Sequence, residues 1–458
     1  MKKNRLLCAA VSLILSCFSF PATALPVFAE GEEDPVLYSY NDLQYRIEEG
    51  HIVITSCAVD ATKLEIPEEV DGYPVTATDS KAFSGATNLI SVTLPDSLTD
   101  LGDRTFLNCT SLTSVTLPDG LTEISNNTFN GCTSLKSVRI PDSVQKICTG
   151  AFQGCTALAD ITFPPHIERF QSDVLTDTAW LNQQPEGFVY VSNVLYCWKG
   201  TMPENTELTL DKSITVIADS ALSGEKNLTA VTFHDGDTYI GWAAFKETGI
   251  ETLTLPENCK MDSSVFENCT SLKSLTIPGS VKTIEYNAFF GCTALESLTI
   301  GEGIEKIDSL AFVDCNALTS ISVPASILEI GGSAFGLHTE PSGGFIIYLK
   351  PVEGFTVYGY KGTAAEEYAE QFGLTFVERD DPPSVTVYGD VNSDEQFSIA
   401  DAVLLQKYLL TIEVTLPNWA AGDLDKNGTL NAMDLSLMKQ KLFLVPDAVI
   451  TDPVPVEM

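Results

Sequence analysis

The phenylalanines of this chain keep a fixed interval. Phe83, Phe106, Phe129 and Phe152 fall 23 residues apart, and Phe245, Phe266, Phe289, Phe312 and Phe335 follow with one step of 21 and three of 23. Around each stands the same phrase, most clearly in TFNGCTSLKSVRIPDSVQKI (Thr128 to Ile147) and AFFGCTALESLTIGEGIEKI (Ala288 to Ile307). A unit this short has no means of burying its own apolar face. Copies must stack and share one core, which makes the chain a quasi-one-dimensional solenoid.

Within each copy runs Leu-x-x-apolar-x-apolar, as in Leu112/Val115/Leu117, Leu135/Val138/Ile140, Leu272/Leu275/Ile277 and Leu318/Ile321/Val323. The pattern occurs nine times, starting at 89, 112, 135, 158, 228, 250, 272, 295 and 318. Alternation over its last three positions is the period of a strand. Pro118 and Pro141 end two of these strands, because proline has no N–H for a ladder. A second apolar pair follows, such as Val144/Ile147 or Val281/Ile284. Stacked strands then run parallel at roughly 4.8 Å per rung. Their outward positions carry Ser114/Thr116, Ser137/Arg139, Thr252/Thr254, Ser274/Thr276, Ser297/Thr299 and Ser320/Ser322. This hydroxyl-rich face reads either as a binding surface or as strand-forming residues turned to water. Between 176 and 221 the register breaks, and Gly187 to Gly200 reads as a strand pair set into the stack.

Cys109, Cys132, Cys155, Cys269, Cys292 and Cys315 each follow the repeat phenylalanine by three residues. Equivalent cysteines on successive rungs read as buried free thiols filling a turn, with inter-rung disulfides as the alternative. No Cys-x-x-Cys pair is present, and His51, His166, His234 and His338 share no repeat position, which argues against zinc. His-Glu-x-x-His, Gly-x-Ser-x-Gly and phosphate-loop motifs are all missing, so no catalytic residues are assigned. The repeat phrase resembles the BspA-like leucine-rich repeats of bacterial surface and secreted proteins. The resemblance covers about Val36 to Val377, including an entry segment (Leu64 to Phe83) and a closing segment (Tyr358 to Phe376) whose Thr363 to Phe372 predicts a capping helix. It implies binding or adhesion rather than chemistry.

Beyond Phe376 the composition changes. Glu378 to Tyr388 is acidic, contains Pro382 and Pro383, and reads as a linker. Two similar stretches follow, GDVNSDEQFSIAD (Gly389 to Asp401) and GDLDKNGTLNAMD (Gly422 to Asp434). A hard cation such as calcium takes oxygens from positions 1, 3, 5, 7, 9 and 12 of a twelve-residue loop. The first loop offers Asp390, Asn392, Asp394, the Gln396 carbonyl, Ser398 and Asp401; the second offers Asp423, Asp425, Asn427, the Thr429 carbonyl, Asn431 and Asp434. Two calcium ions are therefore expected. Helix-like runs follow each loop, Ala400 to Leu410 and Met433 to Phe443. No helix-like run precedes either one, as Pro382, Pro383 and Pro417 oppose it, so a paired EF-hand sensor fits poorly.

Duplicated loop–helix units closed by aspartate resemble a type I-like dockerin domain, over about Tyr388 to Leu444. The resemblance implies docking to the cohesin module of a scaffoldin in a cellulosome. It assigns partner contacts to Ile399, Ala400, Gln406 and Lys407, and in the second copy to Ala432, Met433, Lys439 and Gln440. Ile399 and Met433 have core packing as their alternative; Leu404, Leu405 and Leu437 are the expected core.

The first 29 residues have a basic head (Lys2, Lys3, Arg5), an apolar run (Leu6 to Phe20) and small residues near Ala29, the layout of a secretory signal peptide. Lys plus Arg total 26 against 62 Asp plus Glu, a formal charge of −36, which disfavours nucleic acid and anionic membranes as partners. The fold expected is α+β: a leucine-rich-repeat solenoid with parallel β-sheet, followed by a small all-α calcium-binding dockerin domain. The expected layout is a signal peptide (1–29), an entry cap (30–80), repeats (81–377, with the insert at 176–221), a linker (378–388), a dockerin domain (389–444) and a tail (445–458). The expected role is a secreted, non-catalytic binding or adhesion protein, held on a scaffoldin through cohesin and taking an unknown protein or glycan ligand on its repeat face. A cellulosomal hydrolase of polysaccharide or peptide with an unrecognised site, and a scaffold-independent adhesin, are the alternatives.

Overall fold

The computed structural model describes residues 36–340, 348–379, 391, 397, 399–410, 424 and 431–444. All nine leucine-rich phrases form strands, each paired in parallel with a neighbouring one; Leu228–Thr232 takes Thr206–Thr209 as its partner, and Ser320–Ser322 takes Thr356–Gly359. Ser91 faces Ser114, Ser137 faces Asp160, and Ser274 faces Ser297, each in register 23 residues on. In Ser114–Thr116, Ser137–Arg139 and Thr252–Thr254 the central residue is buried and its two neighbours are exposed. This is the alternation of a sheet with one wet face. The apolar pairs that follow form a second ladder of very short strands. Glu123–Ile124, Lys146–Ile147 and Arg169–Phe170 are one set, and Thr283–Ile284, Lys306–Ile307 and Glu329–Ile330 another.

The corner between rungs explains the phenylalanine interval. Phe106 N–H donates to the Thr128 carbonyl at 2.8 Å, and Phe129 N–H to the Ala151 carbonyl at 2.8 Å. Such bonds hold each turn against the next, and the rings stack inside. Phe106, Phe129 and Phe152 lie 5.2 and 5.3 Å apart with planes within 4° of parallel. Backbone positions two residues either side of the ring take left-handed φ, as at Asn127 (53°) and Gly131 (74°). Asn and Gly suit that region. Arg104, Ala243, Glu247 and Leu310 adopt it as well, because rung-to-rung bonding overrides their local preference. The same signature flanks Leu175 and Leu222, which are fully buried where other rungs carry phenylalanine.

Between those two leucines the stack is interrupted. Helix α1 (Ala179–Gln183), capped by Thr178, separates the first-ladder strands Asp160–Thr162 and Thr206–Thr209. An antiparallel hairpin (Gly187–Val191 with Val194–Lys199) then feeds the second ladder, pairing with Val216–Ile217. The interruption is shorter than the sequence suggests: Thr206–Thr209 and Val216–Ile217 already pair with the following rung. Asn193 closes the gap. Its amide donates to the Ile167 carbonyl at 2.8 Å and accepts from Ile167 N–H at 2.8 Å, in the manner of a missing strand. Buried Tyr196 accepts from Leu175 N–H at 3.0 Å and packs edge-on against Phe170.

Both ends of the long core are covered. At the start, Tyr38–Tyr40, Leu43–Glu48 and His51–Cys57 form an antiparallel meander, joined in parallel by Tyr73–Thr78 and then by Asp100–Leu101. At the far end helix α2 (Ala364–Phe372) stops at Gly373, left-handed at φ 68°. It sets the Tyr368 hydroxyl between the N–H and carbonyl of Phe335, at 3.0 and 2.8 Å. The last rung's exposed backbone is thereby satisfied.

A second, separate core lies near the C-terminus. Val391, Ala402, Leu405 and Met438 are buried there, with Leu404 and Leu435 packed alongside. It joins helices α3 (Ile399–Leu409) and α4 (Ala432–Leu444). Met438 occupies the place expected of Leu437, one residue and about 100° further round the helix. Among the described residues no helix is long and apolar enough to cross a membrane.

Candidate functional site

The C-terminal site is built on two aspartates. Asp401 and Asp434 are each the third residue of their helix, α3 and α4, and both are fully buried. Burying an ionised carboxylate is unfavourable unless hydrogen bonds or a cation compensate it. Asp434 accepts from Leu424 N–H at 2.8 Å and from Asn431 N–H at 2.9 Å. Asn431 caps α4 by accepting from Met433 N–H at 2.7 Å. Buried carboxylate oxygens at the loop-closing position suit a hard cation such as calcium. Asp390, Asn392, Asp394, Gln396, Ser398, Asp423, Asp425, Asn427 and Thr429 lie outside the described residues. Among those described, no group of three His, Cys, Asp or Glu is placed to hold a metal.

The residues assigned to partner contact all reach solvent. Ile399 is 45 % exposed and Met433 57 %, so neither serves the core. Ala400, Gln406, Lys407, Ala432, Lys439 and Gln440 are exposed too. Lys439 Nζ donates to Gln406 Oε1 at 3.2 Å, joining the two helices across this face. Exposed Val403 and Tyr408 on α3 extend its apolar area.

A different site lies along the solenoid. A groove of about 1330 Å³ follows the second ladder, from Glu123 and Lys146 through Arg169 and Tyr239 to Lys260 and Glu285. Sequence reasoning looked to the hydroxyl face of the first ladder and missed it. Its signal was present: the outward position of most of these short strands carries a large or charged residue, Glu123, Lys146, Arg169, Tyr239, Lys260, with buried Val216 as the exception. At its centre Arg169 lies 4.8 Å from the Tyr239 ring centroid and 3.6 Å from Asp262 Oδ1, and the Tyr239 hydroxyl donates to Asp262 Oδ2. Arg169 precedes the interruption and Asp262 follows it, so this cluster ties the two halves of the stack together. Burial pushes the neighbouring Asp219 carboxyl up to about 6; the Trp242 N–H at 3.0 Å works against this.

The repeat cysteines are structural. Each thiol donates to the carbonyl of a phenylalanine on the preceding rung, Cys132 to Phe106 at 3.1 Å and Cys269 to Phe245 at 3.1 Å. Burial raises the Cys269 thiol to about 11, and the described cysteines are all unbridged.

The BspA type leucine rich repeat region matches residues 73–184, 195–309 and 260–340, and the dockerin type I domain matches residues 388–443. Solved structures similar to the chain include a leucine-rich repeat protein from Bacteroides ovatus (18 % identity, 75 % of this chain and 99 % of that one, TM-score 0.31). A leucine rich cell surface protein from Faecalibacterium prausnitzii gives 20 % identity over 77 % and 97 % (TM-score 0.29). A leucine-rich repeat protein from Bacteroides capillosus gives 30 % over 28 % and 96 % (TM-score 0.26). No curated protein matches the chain. Type I dockerins bind calcium and cohesin modules, so the pairing of domains supports a protein-interaction role of cellulosome type and an extracellular or cell-surface association. No catalytic domain is among the matches. The repeats span more than half of the sequence, and the chain belongs to the BspA-type leucine-rich repeat family, with a dockerin type I domain at its C-terminal end.

Proposed function

We propose that this chain is a secreted, non-catalytic binding protein carried on a cellulosome scaffoldin, with the solenoid presenting a recognition surface to protein or glycan. The joined, exposed face of α3 and α4 above two buried aspartates carries this reading. Two calcium ions, one per loop, hold Asp401 and Asp434 and thereby set the helices for cohesin. Clustered carboxylates repel one another without the ion, so metal binding is coupled to folding of this domain. The test is binding of the full chain to a panel of cohesins, in calcium and in chelator. Tight binding in calcium and none in chelator is expected; binding that chelator leaves unchanged overturns the calcium dependence, and failure on every cohesin overturns the docking role.

A further inference from the structure

We propose that Trp242 and Tyr286 form a stacking platform for a neutral, extended β-linked polysaccharide, which rests on the binding role above and names its site and ligand class. The two residues occupy one column of the solenoid, three positions before the rung's phenylalanine, with Ser263 between them. Backbone bonds fix that succession: Ala243 N–H donates to the Ser263 carbonyl at 3.3 Å and Ser264 N–H to the Tyr286 carbonyl at 2.9 Å. Elsewhere this column is small or polar, as at Asp103, Asn126, Ser172 and Ser309. Two large aromatics, 47 % and 45 % exposed, therefore stand out from a low floor of serine. Neither ring stacks on another aromatic ring or on a cation among the described residues.

The spacing selects the ligand. Inside the same three rungs, Phe245, Phe266 and Phe289 are 5.2 and 5.4 Å apart. Two rungs therefore separate the outer rings by about 10 Å. Over that distance a flat β-1,4-linked glycan brings alternate sugar rings back to the same orientation. The negative face of an aromatic ring attracts the polarised C–H bonds of a pyranose, and stacking buries apolar area on both. Asp219, whose Oδ1 accepts from the Trp242 N–H at 3.0 Å, and Glu285, the residue before Tyr286, bring two carboxylates to the platform, and Ser263 brings a hydroxyl between the rings. These carboxylates, on a chain of formal charge −36, select against uronic-acid polymers.

Affinity electrophoresis of the full chain through gels containing hydroxyethyl cellulose, xylan, mannan or polygalacturonate tests the platform. Retardation by at least one neutral glycan and none by polygalacturonate is expected. Trp242→Ala and Tyr286→Ala each weaken it about tenfold, or ~1.4 kcal/mol. Trp242→Phe retains most of it, and Tyr190→Ala, an exposed aromatic on the hairpin, retains all of it. Absence of retardation on every neutral glycan, stronger retardation by polygalacturonate, or variants that migrate like the unaltered chain overturn the proposal. Cohesin binding of the same preparations is measured in parallel, so a failed platform is distinguished from a failed docking module.

Discussion

At the scale of single residues, Asp219 sets a dependence on pH. The Asp219 carboxyl is raised to about 6 chiefly by burial, so the folded state holds its proton where an unfolded carboxylate has lost it. Stability therefore falls as pH rises from about 4 through 6, and this loss is complete at neutral pH. Asp219→Asn keeps an acceptor for the Trp242 N–H and removes the charge. It should raise the melting temperature at pH 7 and leave it nearly unchanged at pH 4; an equal shift at both values would show the burial argument to be wrong. Glu395 stands at position 6 of the first proposed calcium loop, where Gly428 stands in the second. A left-handed turn there costs a residue with Cβ roughly 1–2 kcal/mol. Titration calorimetry should show two unequal sites, with Glu395→Gly tightening the weaker; two equal affinities refute this. Not every residue's role was legible from sequence. The repeat phenylalanines and cysteines were, because period alone puts them inside. Met438 was not, since α4 has apolar residues on several sides and packing against α3 decides which one points in.

Among elements, the leucine-rich strands were readable because each has the same flanks. Thr206–Thr209 escaped notice, although Leu208 and Leu210 are buried like their counterparts, because the hairpin before it disrupts the phrase. The second ladder was readable only as pairs of apolar residues. Two-residue strands carry too little pattern to reveal which side forms a groove, and the charged cluster arises only when Arg169 meets residues some 70 to 90 positions later. The hairpin itself depends on Asn193. Asn193→Leu keeps the branched shape but leaves Ile167 without a donor and an acceptor, a loss of about 2–4 kcal/mol. Urea unfolding of the full chain should show that loss; a change below about 0.5 kcal/mol would mean the gap is closed by packing alone. Tight turns impose a similar constraint. A Cβ on Gly279 would lie 1.6 Å from the Glu302 carbonyl oxygen of the next rung, so Gly279→Ala must displace backbone and should destabilise the adjoining rungs by about 1–3 kcal/mol in the same assay.

Among the described residues the whole molecule divides into two cores that share no buried residue, one long and capped, the other small and, on the function proposed above, dependent on calcium. Chelator should therefore melt the dockerin helices and leave the solenoid's β-signal intact in circular dichroism; a single cooperative loss of both would contradict the separation. The Tyr368 cap acquires a mechanical meaning in this arrangement. A chain gripped by its ligand at Trp242 and Tyr286, and by a scaffold at its C-terminal helices, transmits tension only through the residues between. The meander and the first rungs stay slack, whereas the clasp of Tyr368 on Phe335 is in series with the load. Force entering from the C-terminal helices first peels Thr375–Glu378 from Thr356–Gly359, and the clasp is the next fastening, so Tyr368→Phe should lower the force of that second rupture in single-molecule stretching while an equivalent loss in the N-terminal rungs leaves it unchanged.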